Sequence, residues 1–256
     1  MTALTFAAPY NEKILAQIHQ SNHNQTRFTF AVLGDNRDGD GIFRRMVAQI
    51  DRDHNLSFVI NNGDLVSLGK ANEYTSYMTM IHEAEHPWLS VIGNHEIYWH
   101  GGTSRYREMF GAADFSFAYG NSYFIILDTS RKRIETRQLH WLKQELQTAR
   151  KYTHTFVLTH VPLYDPRKGT YARGHSFRNI DNARRLNDLL DHYDVSMLFT
   201  SHIHYYHRGV WHQTPYIITG GAGAPLRGYS RNGFYHYIRV VVEGKKVKYE
   251  VVKLKK

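Results

Sequence analysis

Phe58-Val59-Ile60-Asn61-Asn62-Gly63-Asp64 is an apolar run that stops at a glycine followed by a carboxylate. A short β-favouring run ended by Asn and Gly reads as a buried strand whose C-terminal end opens into a loop. Asp64 then stands at the edge of a sheet. The same pattern recurs from Phe28 to Asp35, Trp88 to His95, Phe156 to His160 and Val195 to His202, each run delivering Asp, Asn or His at its far end. Right-handed crossovers bring the C-terminal ends of parallel strands to one edge, so residues dozens of positions apart can converge there. Asp64 is the expected centre of that convergence.

Working outward, Ile42, Phe43, Met46, Val47 and Ile50 follow the first run at helical spacing and return the chain to the run ending at Asp64, one βαβ unit later. A second helical segment, Ala71 to Glu85, leads into Trp88 to Ile92. Phe115 to Tyr119 and Tyr123 to Leu127 form a hairpin pattern across Gly120-Asn121. Leu139, Leu142, Leu146 and Ala149 mark a helix with Thr136 as its N-cap. Residues 163 to 178 are a Tyr/Arg/Gly/His-rich loop, and loops of that length in compact domains are usually functional or mobile. Ala183, Leu186, Leu189 and Leu190 give the next helix. Tyr216 to Thr219, Phe234 to Val242 and Lys246 to Val252 then follow as strands without helices between them, so two packed sheets with helices outside are expected. Residues 1–26 read as a polar lead-in, loose or forming a short surface helix around Ile14 to Ile18, and residues 27–256 as a single domain.

At 256 residues and 42% apolar content the chain can bury a sizeable core. The absence of cysteine excludes disulfides and thiolate metal sites, which leaves N and O ligands, with seventeen histidines available. A formal charge of +9 favours anionic partners. The lysines crowding Lys245 to Lys256 read as the solvated face of a last strand, whereas Arg131, Lys132, Arg133, Arg167, Lys168, Arg173, Arg178, Arg227 and Arg231 fall in loops. No run approaches the ~20 apolar residues that span a bilayer, and residues 1–10 lack the basic start and apolar core of a signal peptide. Cytoplasmic location is the default expectation, with export after signal-peptide removal as the alternative.

The polar residues at the strand ends are Asp35, Asp64, Asn94, His95, His160, His202 and His204. Carboxylates, an amide and imidazoles without thiolates suit divalent first-row metals of intermediate hardness. The series Gly34-Asp35-Asn36-Arg37, Gly63-Asp64, Gly93-Asn94-His95-Glu96, His160 and Ser201-His202-Ile203-His204 resembles the calcineurin-like metallophosphoesterases over residues 28 to 204. Gly220-Gly221-Ala222-Gly223-Ala224-Pro225 also resembles the end of such domains. The resemblance implies an α/β fold, a four-layer α-β-β-α sandwich of two mixed β-sheets flanked by helices, with a dinuclear metal site at the C-terminal edge of the strands. It places Asp35, Asp64 and His204 on one metal and Asp64, Asn94, His160 and His202 on the other, with Asp64 bridging a divalent or mixed-valence pair of Mn, Fe or Zn. His95 matches the family histidine that contacts the phosphate or leaving group. Two positions depart from the family pattern: Arg37 stands where its first motif, Asp-x-His, has a ligand, and Ser201 stands where its last motif has glycine.

Two cations about 3.5–4 Å apart share a water, lower its pKa and polarise phosphoryl oxygens for in-line displacement. Hydrolysis of phosphomonoesters or phosphodiesters is therefore expected, with a small anionic substrate as partner. His95 would stabilise the transition state or protonate the leaving oxygen, and the planar fork of Arg37 would hold two phosphate oxygens. Arg173, His175 and Arg178 join Arg37 as expected substrate contacts, and Glu96 is either a partner of His95 or an exposed helix-start carboxylate. Two other functions fit: a nuclease, from the charge and the interleaved aromatic and basic residues, and a metal-binding scaffold without turnover, from Arg37.

Overall fold

In the computed structural model the described residues are 8–22, 25–98, 102–227 and 233–255; Arg231 and the first seven residues of the lead-in lie outside them. After α1 (Tyr10–Gln20), the chain alternates β1 (Arg27–Leu33), α2 (Asp40–Asp51), β2 (Leu56–Asn61), α3 (Ala71–His82) and β3 (Trp88–Ser90). Two helices, α4 (His95–Tyr98) and α5 (Gly102–Phe110), precede the hairpin of β4 (Phe115–Tyr119) and β5 (Ser122–Leu127). Then come α6 (Thr136–Ala149), β6 (His154–Thr159), α7 (Ile180–His192) and β7 (Met197–Thr200). Four strands close the chain: β8 (Tyr206–Trp211), β9 (Thr214–Thr219), β10 (His236–Glu243) and β11 (Lys246–Lys253).

One sheet has the order β11-β10-β1-β2-β3 and the other β4-β5-β6-β7-β9-β8. Both are mixed: β1, β2 and β3 run parallel, as do β5, β6, β7 and β9, with antiparallel strands outside them. Side chains alternate across each strand. On β1, Phe28, Phe30 and Val32 pack between the sheets with Phe58, Phe124, Phe156 and Phe199. Ala31 and Leu33 face outward onto Phe43, Met46 and Ile50 of α2. Leu142 and Leu146 of α6 and Leu186 and Leu190 of α7 cover the other sheet. Strands buried on both faces leave no polar position along the run, which is why they read as continuous apolar stretches. The result is the expected four-layer sandwich. Among the described residues no helix is long and apolar enough to cross a membrane.

Register then places the loops. Leu33 pairs with Asn61, and the chains leave the sheet together: Asp35 N–H donates to Gly63 O at 2.9 Å and Asn62 N–H to Leu33 O at 2.7 Å. In the second sheet Leu158 pairs with Phe199, and Ser201 N–H donates to His160 O at 2.8 Å. Asn62 crosses between sheets, its Nδ2 donating to Thr159 O at 2.9 Å. All the polar strand ends thus open on one edge.

Several expected boundaries move. The helix expected to reach Glu85 ends at His82, with Glu83 as its C-cap, whose N–H donates to Thr79 O at 3.2 Å. The third run is a strand only to Ser90, although Val91 N–H still donates to Asn61 O at 2.8 Å. Thr136 is the first helical residue and not the cap, which falls on Glu135, whose N–H donates to Gln138 Oε1 at 2.9 Å. Within the 1–26 segment, α1 buries Ile18 and clamps β3 through Asn11, which donates to Ser90 O at 2.8 Å and accepts Ser90 N–H at 3.0 Å.

Candidate metal centre

Asp35, Asp64 and His202 lie immediately past their strands with φ of 61°, 57° and 64°. Left-handed backbone is disfavoured for residues with a Cβ, and such strain tends to persist where the surroundings hold a functional group in place. Gly93 is equally constrained: a Cβ there would lie 2.3 Å from Asp64 N. The strand ends are thus held tightly against each other.

One potential ligand atom from each of Asp64, His160 and His202 lies within 4.8 Å of the others, and the same is true of Asp35, Asp64 and His204. Asp64 belongs to both groups. Its Oδ1 is 3.1 Å from His160 Nε2 and accepts His95 N–H at 3.0 Å, while Oδ2 is 3.4 Å from Arg37 Nε and 3.8 Å from His95 Nε2. Asp35 Oδ2 accepts His202 N–H at 2.8 Å, and its Oδ1 is 3.4 Å from His204 Nε2. Asn94 Oδ1 lies 3.2 Å from His160 Nε2.

The other ring nitrogens fix the tautomers. Nδ1 of His160, His204 and His95 contacts a backbone carbonyl, of Asn62 at 2.8 Å, Pro225 at 2.9 Å and Ser67 at 2.7 Å respectively. A carbonyl accepts only from N–H, so Nδ1 carries a proton in each ring and Nε2 is the nitrogen left to face the cluster, free to ligate once it is deprotonated. Both nitrogens of buried His202 and Asp35 Oδ1 find no hydrogen-bond partner among the described residues. Buried polar atoms left unpaired are costly, and a cation would complete them. The donor set therefore fits a pair of divalent cations.

Electrostatics agree. Burial alone would raise the Asp64 carboxyl pKa, yet the charge of His160 and its contact at 3.1 Å hold it well below the carboxylate range. Burial opposes charge on His160, but Asp64 lifts it to about 9. Burial and the neighbouring His160 pull His202 well below an ordinary imidazole, so it remains a neutral donor. A proton on His160 is what a cation would displace.

Among the other expected site residues, Arg37 stands beside the shared carboxylate and also pairs with Asp38. His175 stacks on His202, ring centroids 3.9 Å apart and 4° from parallel. It is held by Asp165, which accepts His175 N–H at 2.8 Å and the Arg167 fork at 2.9 and 2.7 Å. Arg173 is exposed and donates to the carbonyl of Arg178 at 3.2 Å, so its guanidinium is engaged within its own loop. Glu96 is neither a partner of His95 nor exposed: it is fully buried and accepts the backbone N–H groups of Gly93, Asp64, Leu65 and Val66. Burial and then Asp64 act to raise its pKa, while the backbone donors of Gly93 and Val66 favour the carboxylate. Ser201, in place of glycine, donates to Thr219 O at 3.1 Å and fills the space that glycine at position 34 leaves open. Asn36, which joins Leu65 O to the Asn61 amide, and Asp165 carry no signal in local spacing, because their partners come from other loops.

The family model for calcineurin-like phosphoesterases matches residues 28–206. Phosphoenolpyruvate phosphatase of Allium cepa is 23% identical over 229 residues, 80% of this chain and 47% of that protein. Purple acid phosphatase 1 of Ipomoea batatas is 24% identical over 144 residues, 49% of this chain and 29% of that protein. The chain spans about half the length, or less, of these curated relatives. A purple acid phosphatase from yellow lupin (Lupinus luteus) seeds has a similar structure, with TM-score 0.72 at 18% identity over 89% of this chain and 52% of that one. So has GAP50, the anchor in the inner membrane complex of Plasmodium, with TM-score 0.64 at 15% identity over 91% and 90%. At these identities the structural likeness establishes the shared fold.

Proposed function

Because the chain belongs to the calcineurin-like phosphoesterases, we propose that it is a metal-dependent phosphoric ester hydrolase acting on phosphomonoesters. The observation that carries this reading is the one carboxylate, Asp64, common to two buried groups of potential ligands. Asp35, Asp64 and His204 would hold one cation and Asp64, Asn94, His160 and His202 the other, Mn, Fe or Zn in a divalent or mixed-valence pair. Cations held there supply activation of a water and neutralisation of the phosphate charge.

The protein's own groups do the rest. His95, with Nδ1 fixed on Ser67 O, would in its protonated form donate from Nε2 to the leaving oxygen. Arg37 offers its guanidinium to a phosphoryl oxygen from beside Asp64. His175 packs on His202 and keeps that ring in place. Preference for monoesters over diesters rests on the names of the curated relatives, both phosphatases. Binding without turnover is the second reading, favoured by Arg37 at a position where the family has a ligand.

Turnover of p-nitrophenyl phosphate and bis(p-nitrophenyl) phosphate after loading with Mn, Fe or Zn, with metal content measured in parallel, separates these readings. Monoester turnover in excess of diester turnover is expected. Two bound metals per chain with neither ester cleaved would establish the scaffold instead.

A further inference from the structure

Three basic residues outside the ligand motifs, half-buried Lys132 and exposed Arg178 and Arg227, lie on loops whose backbones adjoin the Asp64 cluster. Lys132, between β5 and α6, has φ 59°, a left-handed conformation unfavourable for a residue with a Cβ. Two backbone bonds hold it there: Lys132 N–H donates to Thr129 O at 2.8 Å, and Lys132 O accepts Arg178 N–H at 2.9 Å. The second bond ties this loop to the 163–178 loop. Arg227, past β9, donates its N–H to His204 O at 3.0 Å, so its backbone adjoins a candidate ligand.

Lys132 is half-buried; burial and then Arg178, with a smaller push from Arg227, draw its ammonium pKa below the ordinary lysine value, while Asp64 acts to keep it charged. The 163–178 loop adjoins a candidate ligand as well, because its His175 ring stacks on His202 with centroids 3.9 Å apart. Among the described residues Lys132, Arg178 and Arg227 form no ion pair. Like charges held on adjoining loops repel one another, and their summed field concentrates anions. A single phosphate at the cluster would have the cation pair held there, Arg37 and His95 for its charge. The three remaining cations then have nothing to neutralise.

We propose that the substrate carries a second anionic group, a carboxylate or a further phosphate, held by Lys132, Arg178 and Arg227 while the scissile phosphate lies at the Asp64 cluster. This rests on the reading of that cluster as a phosphoester hydrolase. The loop carrying Lys132 is then a specificity element.

The test compares the three ring isomers of carboxyphenyl phosphate, each with its carboxamide, and the phenylene bisphosphates with phenyl phosphate, on the metal-loaded protein. One charge-assisted contact predicts an acid-over-amide or bisphosphate-over-monophosphate ratio in kcat/KM of about ten- to hundredfold for at least one isomer. The preferred series identifies the second anion as carboxylate or phosphate. Lys132→Gly, which accepts the positive φ without strain, should bring that ratio toward one, and Lys132→Arg should restore it. Equal kcat/KM across every pair in the unmodified protein, or a ratio that survives Lys132→Gly, overturns the proposal. Calorimetric binding of the carboxybenzylphosphonates against their carboxamides reads the same preference without turnover. No cleavage together with preferred binding of the acids would reject the hydrolase reading and uphold the second-anion site, whereas cleavage without any preference would do the reverse.

Discussion

Asp64 shows how much one position can be asked to do. It turns the chain out of β2 with a left-handed backbone, accepts the N–H of His95, and faces His160 and Arg37 at once. Asparagine tolerates that backbone, so Asp64→Asn should fold while removing the charge that both ligand groups share. Loss of a supporting partner alone typically lowers metal affinity about 10–100-fold, so loss of this carboxylate should exceed about 100-fold. Elemental analysis after gel filtration checks it, and full metal content would remove Asp64 from the centre. Glu96 makes the complementary case. Its two oxygens accept four backbone N–H groups, and Glu96→Gln leaves one oxygen able to accept. Unsatisfied buried donors cost about 1–3 kcal/mol each, so a loss of roughly 2–4 kcal/mol in urea unfolding is expected, with metal affinity falling alongside. A stability within about 0.5 kcal/mol of the parent would show that the loops after β2 and β3 hold themselves. The contrast between the two residues explains what sequence could reveal. Asp64, His160 and His202 each follow an apolar run, so their place at the edge is written locally. Glu96, Asp165 and Lys132 depend on which loops meet, and no spacing along the chain encodes that.

Elements obey the same distinction. The central strands were legible because both their faces are covered, and the hairpin because glycine at position 120, with φ 57°, supplies its turn. β8 was not, since only Trp211 on it is buried, and a half-polar edge strand resembles a loop in composition. Nor did the polar composition of the lead-in reveal that α1 clamps β3. Strand β3 lies at the edge of its sheet and has three residues. The amide of Asn11 gives Ser90 the two hydrogen bonds that a further strand would provide, in a fully buried setting. Asn11→Ala should therefore cost about 2–3 kcal/mol, with hydrogen exchange at the Ser90 amide accelerating as the edge frays. Because Val91 and Ile92 continue from β3 toward Asn94, metal affinity should weaken with it. An unchanged unfolding midpoint would mean that water replaces the side chain without loss.

At the scale of the whole molecule, the two sheets must stay in register for ligands drawn from both to meet. His236 on β10 joins them: its Nε2 lies 3.2 Å from Thr219 Oγ1 at the end of β9, and its Nδ1 2.9 Å from Phe234 O. Burial lowers its pKa from 6.5 to about 4. The folded protein thus holds a neutral imidazole where the unfolded chain takes up a proton, so between pH 6.5 and 4 the unfolded state binds more protons. Stability from this group is fully present above pH 6.5 and is lost as pH falls toward 4, roughly 3 kcal/mol across the window. His160 titrates with the opposite sign, because Asp64 raises its folded pKa to about 9. The two are separable by difference. His236→Gln keeps an acceptor and donors at the site but cannot titrate, so urea midpoints measured in chelator from pH 7 to pH 4.5 should fall less steeply for the variant than for the parent. Parallel curves would mean that His236 gains its proton without opening the seam, and the acid sensitivity of the sandwich would then lie in its carboxylates.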